Sequence, residues 1–216
     1  MMSKIVVLDY GSSNLRSVEK ALETVAADNQ KITVTDSPKV ILNADKVVFP
    51  GQGAIGQCMQ NLKEKKLDDV IRECIKNKPF LGICLGLQSL MEHSDEDGGT
   101  KGLGVMSGNV VRFTEGMKDD KNNAYKIPSM GWNQVYQTKT HPLWNGIDDG
   151  SRFYFVHSYY VKMNNDSDIA GSTDYICRYT SAASCENVFA TQFHPEKSQV
   201  AGLTLLKNFL NWNGNT

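Results

Sequence analysis

Apolar positions in the first half of the chain alternate between two spacings. Ile5-Val6-Val7-Leu8 is an unbroken apolar run that reads as a buried strand. From about Asn14 the spacing changes, and Leu15, Val18, Leu22 and Val25 fall on one face of a helix. Ile32-Thr33-Val34-Thr35 predicts a second strand, and Lys46-Val47-Val48-Phe49 a third, ended by Pro50-Gly51. Leu67, Val70, Ile71, Cys74 and Ile75 stand at i, i+3, i+4, i+7 and i+8, the stripe of an amphipathic helix. Phe80-Leu81-Gly82-Ile83 predicts a fourth strand, leading to Cys84. Strand, helix and strand at these intervals imply an α/β fold, a mostly parallel central sheet with helices on both faces. Ligands bind such sheets beyond the carboxyl ends of the strands, where Gly51 and Cys84 both lie.

After Ser94-Asp95-Glu96-Asp97-Gly98-Gly99 the texture changes. Short β-rich runs dominate: Val105 to Phe113, Arg152 to Val161, and Asn187 to Phe193. Glu115 to Asn123 is charged and reads as a mobile surface loop, and Val200, Leu203, Leu206 and Leu210 mark a closing helix. No repeat, linker or low-complexity tract divides residues 1–216, so a single domain with a β-rich second half is expected. The 40% hydrophobic content is ordinary for a folded chain. A net charge of −1 with no basic block argues against nucleic acid or an anionic membrane as the main partner. No apolar run approaches the roughly 20 residues of a membrane span. The start, Lys4 into Ile5–Leu8 and then Asp9, is too short and too soon charged for a signal peptide. Five cysteines with no C-x-x-C pair argue against a disulfide framework and a structural zinc site. A reducing, cytoplasmic setting is expected, with no metal and no cofactor.

Two stretches carry candidate chemistry. Gly82-Ile83-Cys84-Leu85-Gly86-Leu87-Gln88 puts a cysteine between two glycines where a strand gives way to a helix-like pattern. Glycines two residues either side of a nucleophile permit a sharp turn that exposes it, and free N–H groups at a helix start favour a thiolate. Gln192-Phe193-His194-Pro195-Glu196 supplies a base and a group to orient it. In extended geometry His194 and Glu196 share a face. Cys, His and Glu together make a hydrolytic or acyl-transfer site the leading reading. Cys58, Cys74, Cys177 and Cys185 read as buried small hydrophobes, and His93 and His141 as surface residues. Pro50-Gly51-Gln52-Gly53 is either a turn that starts a helix or a source of backbone N–H groups for an oxyanion. Trp132, placed in a glycine-flanked turn, is either core or interface; Lys197 is either solvated or interfacial.

The two stretches resemble the class I, triad-type glutamine amidotransferases. Within that family the chain looks like the glutaminase subunits of imidazole glycerol phosphate synthases. The closer likeness rests on Asp9-Tyr10-Gly11-Ser12-Ser13-Asn14-Leu15-Arg16-Ser17-Val18, Pro128-Ser129-Met130-Gly131-Trp132-Asn133 and Tyr154-Phe155-Val156-His157-Ser158-Tyr159-Tyr160. The resemblance implies hydrolysis of glutamine to glutamate and ammonia, with ammonia passing to a separate (β/α)8-barrel cyclase subunit. It implies Cys84 as nucleophile, His194 as base and then acid, and Glu196 as the group orienting His194. The backbone N–H groups of Leu85 and Gln52 would form the oxyanion hole. Gly51, Gly53, Gln88, His157, Ser158 and Tyr159 would surround the glutamine, and Asn14, Trp132 and Lys197 would face the cyclase. Three positions depart from the family pattern: Ser129 for a common histidine, Gln52 for a small aliphatic residue, and Ser13 for a glycine. Competing readings are a glutaminase subunit feeding a related synthase, such as one for amidino-sugars, a stand-alone γ-glutamyl cysteine hydrolase, and a non-catalytic binding module.

Overall fold

The computed structural model describes residues 2–215. Its first half contains strands β1 (Ser3–Leu8), β2 (Gln30–Thr35), β3 (Lys46–Gly51) and β4 (Phe80–Cys84). Between them run helices α1 (Leu15–Val25), α2 (Pro38–Leu42), α3 (Ile55–Glu64) and α4 (Asp68–Asn77), and a short helix α5 (Leu85–Ser89) follows β4 without a break. The second half holds β5 (His93–Ser94), β6 (Thr100–Lys101), β7 (Gly108–Arg112), β8 (Ser129–Gln134) and β9 (Tyr136–Gln137). It continues with β10 (Arg152–His157), β11 (Tyr159–Met163), β12 (Ile169–Asp174), β13 (Arg178–Cys185), β14 (Val188–Thr191) and the closing helix α6 (Gln199–Asn211).

One twelve-stranded sheet runs through both halves, in the order β2-β1-β3-β4-β14-β13-β11-β7-β5-β6, with β12 attached at β13 and β9 at β12. Strands β2, β1, β3, β4 and β14 are mutually parallel, and β13, β11 and β7 continue the sheet antiparallel. The joint is β14, parallel to β4 and antiparallel to β13. It brings the segment that follows it to the carboxyl end of β4.

Alternation along the strands builds two cores. Val6 and Leu8 of β1 pack with α3 and α4 on one face, while Ile5 and Val7 pack with α1 and α6 on the other. Leu22 of α1 and Ile71 of α4 are fully buried, and each such side chain contributes roughly 1.5–3 kcal/mol. Asp68 and Asp69 in the first turn of α4 oppose the positive end of its dipole.

Several sequence expectations give way. Arg152 to Val161 is not one β run: β10 pairs only with β8 in a separate two-stranded ribbon, and after Ser158 the chain enters the main sheet as β11. Met130 to Asn133 is therefore strand, not turn. Val200 is 78% exposed, and the buried face of α6 is Leu205, Leu206, Phe209 and Leu210. His141 is buried: its Nδ1 accepts from the Leu143 N–H (3.1 Å), and its ring packs on Phe189 and Trp212. Cys177 and Cys185 are half-buried, whereas Cys58 and Cys74 lie in the core. His93 is exposed, and the Glu115 to Asn123 segment runs over the surface. Among the described residues, no helix is long and apolar enough to cross a membrane.

Candidate active site

Strand β4 ends at Cys84 and α5 begins at the next residue, so the chain reverses character within one peptide. Cys84 itself takes the strain, at φ 55 and ψ −106. Such a backbone costs of order 1–3 kcal/mol and persists only where packing enforces it. The flanking glycines serve the turn through close approach rather than through unusual backbone angles of their own. A Cβ on Gly86 would lie 2.0 Å from the Phe49 carbonyl oxygen, and one on Gly82 would lie 3.0 Å from Ala190 Cβ. The glycines thus permit the sharp turn, as expected, by leaving room for its two arms: a Cβ on Gly82 would also lie 3.1 Å from the Gly86 carbonyl carbon.

Register brings the other parts to Cys84. Gly51 pairs with Cys84 across β3 and β4, and Thr191 pairs with Ile83 across β14 and β4. His194 follows β14 and is fully buried. Its N–H donates to the Tyr154 carbonyl (2.9 Å), and its own carbonyl accepts from Ser198 Oγ (2.6 Å) and the Lys197 N–H (3.0 Å). His194 Nδ1 donates to Glu196 Oε1 at 2.8 Å. The two residues meet through a tight 3-10 turn at Pro195–Lys197, not through strand alternation as expected. Pro195 suits the first position of that turn because its fixed φ is helical and its missing N–H costs nothing there. Burial by itself would lower the His194 pKa; the charge on Cys84 and then Glu196 reverse this and raise it from 6.5 to about 10. Nε2 has no hydrogen-bond partner among the described residues.

Cys84 opens onto a cavity of about 220 Å³ lined by Gln52, Gly53, Leu85, Gln88, Glu96, Pro128 and residues Val156 to Tyr159. Leu85 is the first residue of α5, so its N–H is one that a helix leaves unpaired. Gly53 sits at φ +98 with open space around a would-be Cβ, so conformation and not packing requires glycine there. Gly51, expected beside the substrate, is not part of the wall: a side chain there would strike Tyr10 Oη at 2.3 Å. Gln88 Nε2 donates to the Tyr159 carbonyl (3.1 Å) and to Gln192 Oε1 (3.0 Å), which leaves its Oε1 as a free acceptor. His157 spends both ring nitrogens within the protein, Nδ1 on the Tyr159 carbonyl (2.7 Å) and Nε2 on Tyr179 Oη (3.2 Å). Burial, opposed by that backbone bond and helped by nearby His194, lowers its pKa to about 4. It supports the wall as a neutral ring.

Asn14 departs from its expected place on a partner face. It is buried, and its Nδ2 donates to Glu196 Oε1 at 2.6 Å. The residue before it, Ser13, accepts from Gln52 Nε2 at 2.5 Å, so two of the three departures from the family pattern touch each other. The third, Ser129, is buried opposite His157 in the β8–β10 ribbon. Trp132 is 41% exposed and packs edge-on against Tyr154 (6.2 Å between centroids). Exposed Lys197 places its Nζ 6.0 Å from the same ring. Two residues escaped the sequence reading. Glu96 is half-buried in the cavity wall, caps the Ile55 N–H (3.0 Å), and has its pKa raised chiefly by burial. Gln192 lies between Gln88 and Cys84. In sequence, Glu96 stands in an acidic run with nothing to mark it from Asp95 or Asp97.

Comparison with known proteins identifies the family. The model of the glutamine amidotransferase class-I family matches residues 6–212. The chain belongs to the class I glutamine amidotransferases. Imidazole glycerol phosphate synthase subunit HisH of Thiobacillus denitrificans is 54% identical over 99% of this chain and 93% of its own length. The HisH subunit of Nitrosococcus oceani is 53% identical over 99% of both. Within the class, the chain is therefore a member of the HisH glutamine amidotransferase subunits. Solved structures agree on the fold. PurLQS of Thermotoga maritima aligns over 98% of this chain and 99% of its own, at TM-score 0.72 and 18% identity. The glutaminase domain of Trypanosoma brucei CTPS aligns over 100% of this chain and 98% of its own, at TM-score 0.64 and 15% identity.

Proposed function

We propose that this protein hydrolyses glutamine at Cys84 and passes the ammonia to a (β/α)8-barrel cyclase partner. The cyclase would use it to convert a phosphoribulosyl formimino carboxamide ribotide to imidazole glycerol phosphate and an aminoimidazole carboxamide ribotide, in histidine biosynthesis. The observation that carries the reading is a strained cysteine on a small cavity, backed by a buried His194–Glu196 pair at 2.8 Å.

A carboxamide is a poor electrophile, and a thioester divides its hydrolysis into two easier steps. The Cys84 sulfur attacks the side-chain carbonyl carbon of glutamine, and the thiol proton rests on His194 Nε2. The oxyanion meets the Leu85 N–H and, after a peptide rotation at Gln52, a second donor. Each donor is worth about 3 kcal/mol, so that rotation acts as a switch. The C–N bond breaks as His194 returns the proton to the leaving nitrogen, and ammonia departs. His194, neutral once it has given up that proton, takes one from the water that attacks the thioester; the C–S bond breaks, glutamate leaves, and the proton on His194 faces the freed Cys84 sulfur again. Glu196, held also by Asn14, orients the ring. Gln88 Oε1 and the Glu96 carboxylate are acceptors for the substrate ammonium, and the backbone at Ser158 and Tyr159 takes the amino-acid end.

Trp132 and Lys197 belong to the cyclase-facing surface on this reading, and the setting is the cytoplasm. The test is Cys84→Ala in the reconstituted pair. Glutamine-dependent synthesis should vanish while synthesis from ammonium salts persists. Loss of both in a variant that folds and binds the cyclase contradicts the division of labour.

A further inference from the structure

Gln192 is a fully buried amide one residue beyond the end of β14. Its N–H donates to the Ser181 carbonyl at 2.8 Å, and the pairing of Thr191 with Ile83 sets it beside the elbow. Its side chain spans two functional groups. Nε2 donates to Cys84 Sγ at 3.6 Å, and Oε1 accepts from Gln88 Nε2 at 3.0 Å. Gln88 Nε2 has two N–H groups, and the Tyr159 carbonyl takes the other. Which end of Gln88 faces the cavity is therefore decided by Gln192 and Tyr159 together.

We infer that Gln192 is a positioning residue with two separable jobs. Its N–H stabilises negative charge on the Cys84 sulfur, and its carbonyl fixes Gln88 so that Oε1 is presented to the substrate ammonium. The second job rests on the proposed glutaminase reading; the first does not. Hydrogen bonds to a charged acceptor are the stronger kind, while neutral ones contribute less. Losing the first therefore changes sulfur reactivity about tenfold, and losing the second changes substrate affinity by several-fold to about tenfold.

Two substitutions separate the jobs. Gln192→Glu keeps an acceptor for Gln88 but replaces the donor to sulfur with a carboxylate; Gln192→Met removes both. The titratable groups around Cys84 and its cavity are His194 with Glu196 behind it, Tyr10, His157, Tyr159 and Glu96; Gln192→Glu adds a carboxylate to them, whereas Gln192→Met adds none. The first measurement is alkylation of the full chain by iodoacetamide across pH, read at the Cys84 peptide by mass spectrometry. The other four cysteines are thereby kept out of the signal. The second is KM for glutamine in the complex with the cyclase. Both variants should alkylate about tenfold more slowly near neutral pH, with the rising limb of the profile moved to higher pH. KM should rise several-fold in Gln192→Met and stay within about twofold of the parent in Gln192→Glu. Alkylation profiles that superimpose on the parent, or an unchanged KM in Gln192→Met, overturn the inference. If Gln192→Met does not fold, Gln192→Leu, which also removes both bonds and adds no charge, takes its place: slowed alkylation with a raised KM supports, parental alkylation or an unchanged KM refutes. A parent that alkylates at Cys84 but hydrolyses no glutamine refutes the glutaminase reading, while the alkylation comparison still judges the first job of Gln192.

Discussion

At the residue scale, His194 and His157 show how one side chain is tuned in opposite directions. His194 is raised because Cys84 and Glu196 outweigh burial; His157 is lowered because burial meets no anion. In Cys84→Ala the His194 imidazole should therefore titrate well below its parental value, by nuclear magnetic resonance of labelled histidine. An unmoved titration would remove Cys84 as the cause. For His157 the folded state favours the neutral ring, so its contribution is full above pH 6.5 and is lost as pH falls through about 4. The loss amounts to roughly 3 kcal/mol. His157→Gln should make that limb of stability against pH shallower, measured by urea unfolding at several pH values, with buried His141, its pKa also lowered to about 4, keeping the remainder. The Cys84 elbow and the His194–Glu196 pair, the parts of the proposed triad, were legible in sequence from glycine flanks and an i+2 carboxylate. The roles of Asn14, Glu96 and Gln192 were not, because each depends on a contact distant in sequence, such as Asn14 with Glu196.

At the element scale, the parallel half was readable because β1, β3 and β4 are apolar runs and α1 and α4 carry apolar stripes, while β2 at the sheet edge alternates Ile32, Thr33, Val34 and Thr35. Strands β12 and β13 were not. Ile-Ala-Gly-Ser-Thr-Asp and Arg-Tyr-Thr-Ser-Ala-Ala-Ser-Cys are small and polar, yet nearly all their inner positions are buried, so alternation carries no signal. The ribbon of β8 and β10 was missed for a different reason: Ser158 divides an apolar run whose parts join different sheets. The elbow shows an element set by packing. Gly86→Ala puts a methyl group against the Phe49 carbonyl and should destabilise by about 1–3 kcal/mol or more, lowering the thermal midpoint. A midpoint equal to the parent's would mean that α5 can withdraw from β3 freely.

At the scale of the whole molecule, 23 basic against 24 acidic residues leave no net field to steer a partner, so local contacts must set the register. Trp132 and Lys197 flank Tyr154, whose backbone carbonyl accepts from the His194 N–H, so one residue joins the proposed docking surface to His194. Trp132→Ala should let glutamine consumption outrun ribotide turnover, and Lys197→Ala should weaken the cyclase complex. Loss of one partner from a buried charged pair costs about 2–5 kcal/mol. Glutamate released per imidazole glycerol phosphate formed, with cyclase affinity, checks both: a ratio near one and an unchanged affinity would place these residues outside the interface.

The central claim is that ammonia made at Cys84 reaches the cyclase without entering solution. The complex should be given its ribotide and glutamine carrying heavy nitrogen in its amide, in excess unlabelled ammonium. Imidazole glycerol phosphate that retains the heavy label, and loses it in Cys84→Ala, is the predicted result. Product labelled only to the level of the surrounding ammonium would contradict the account.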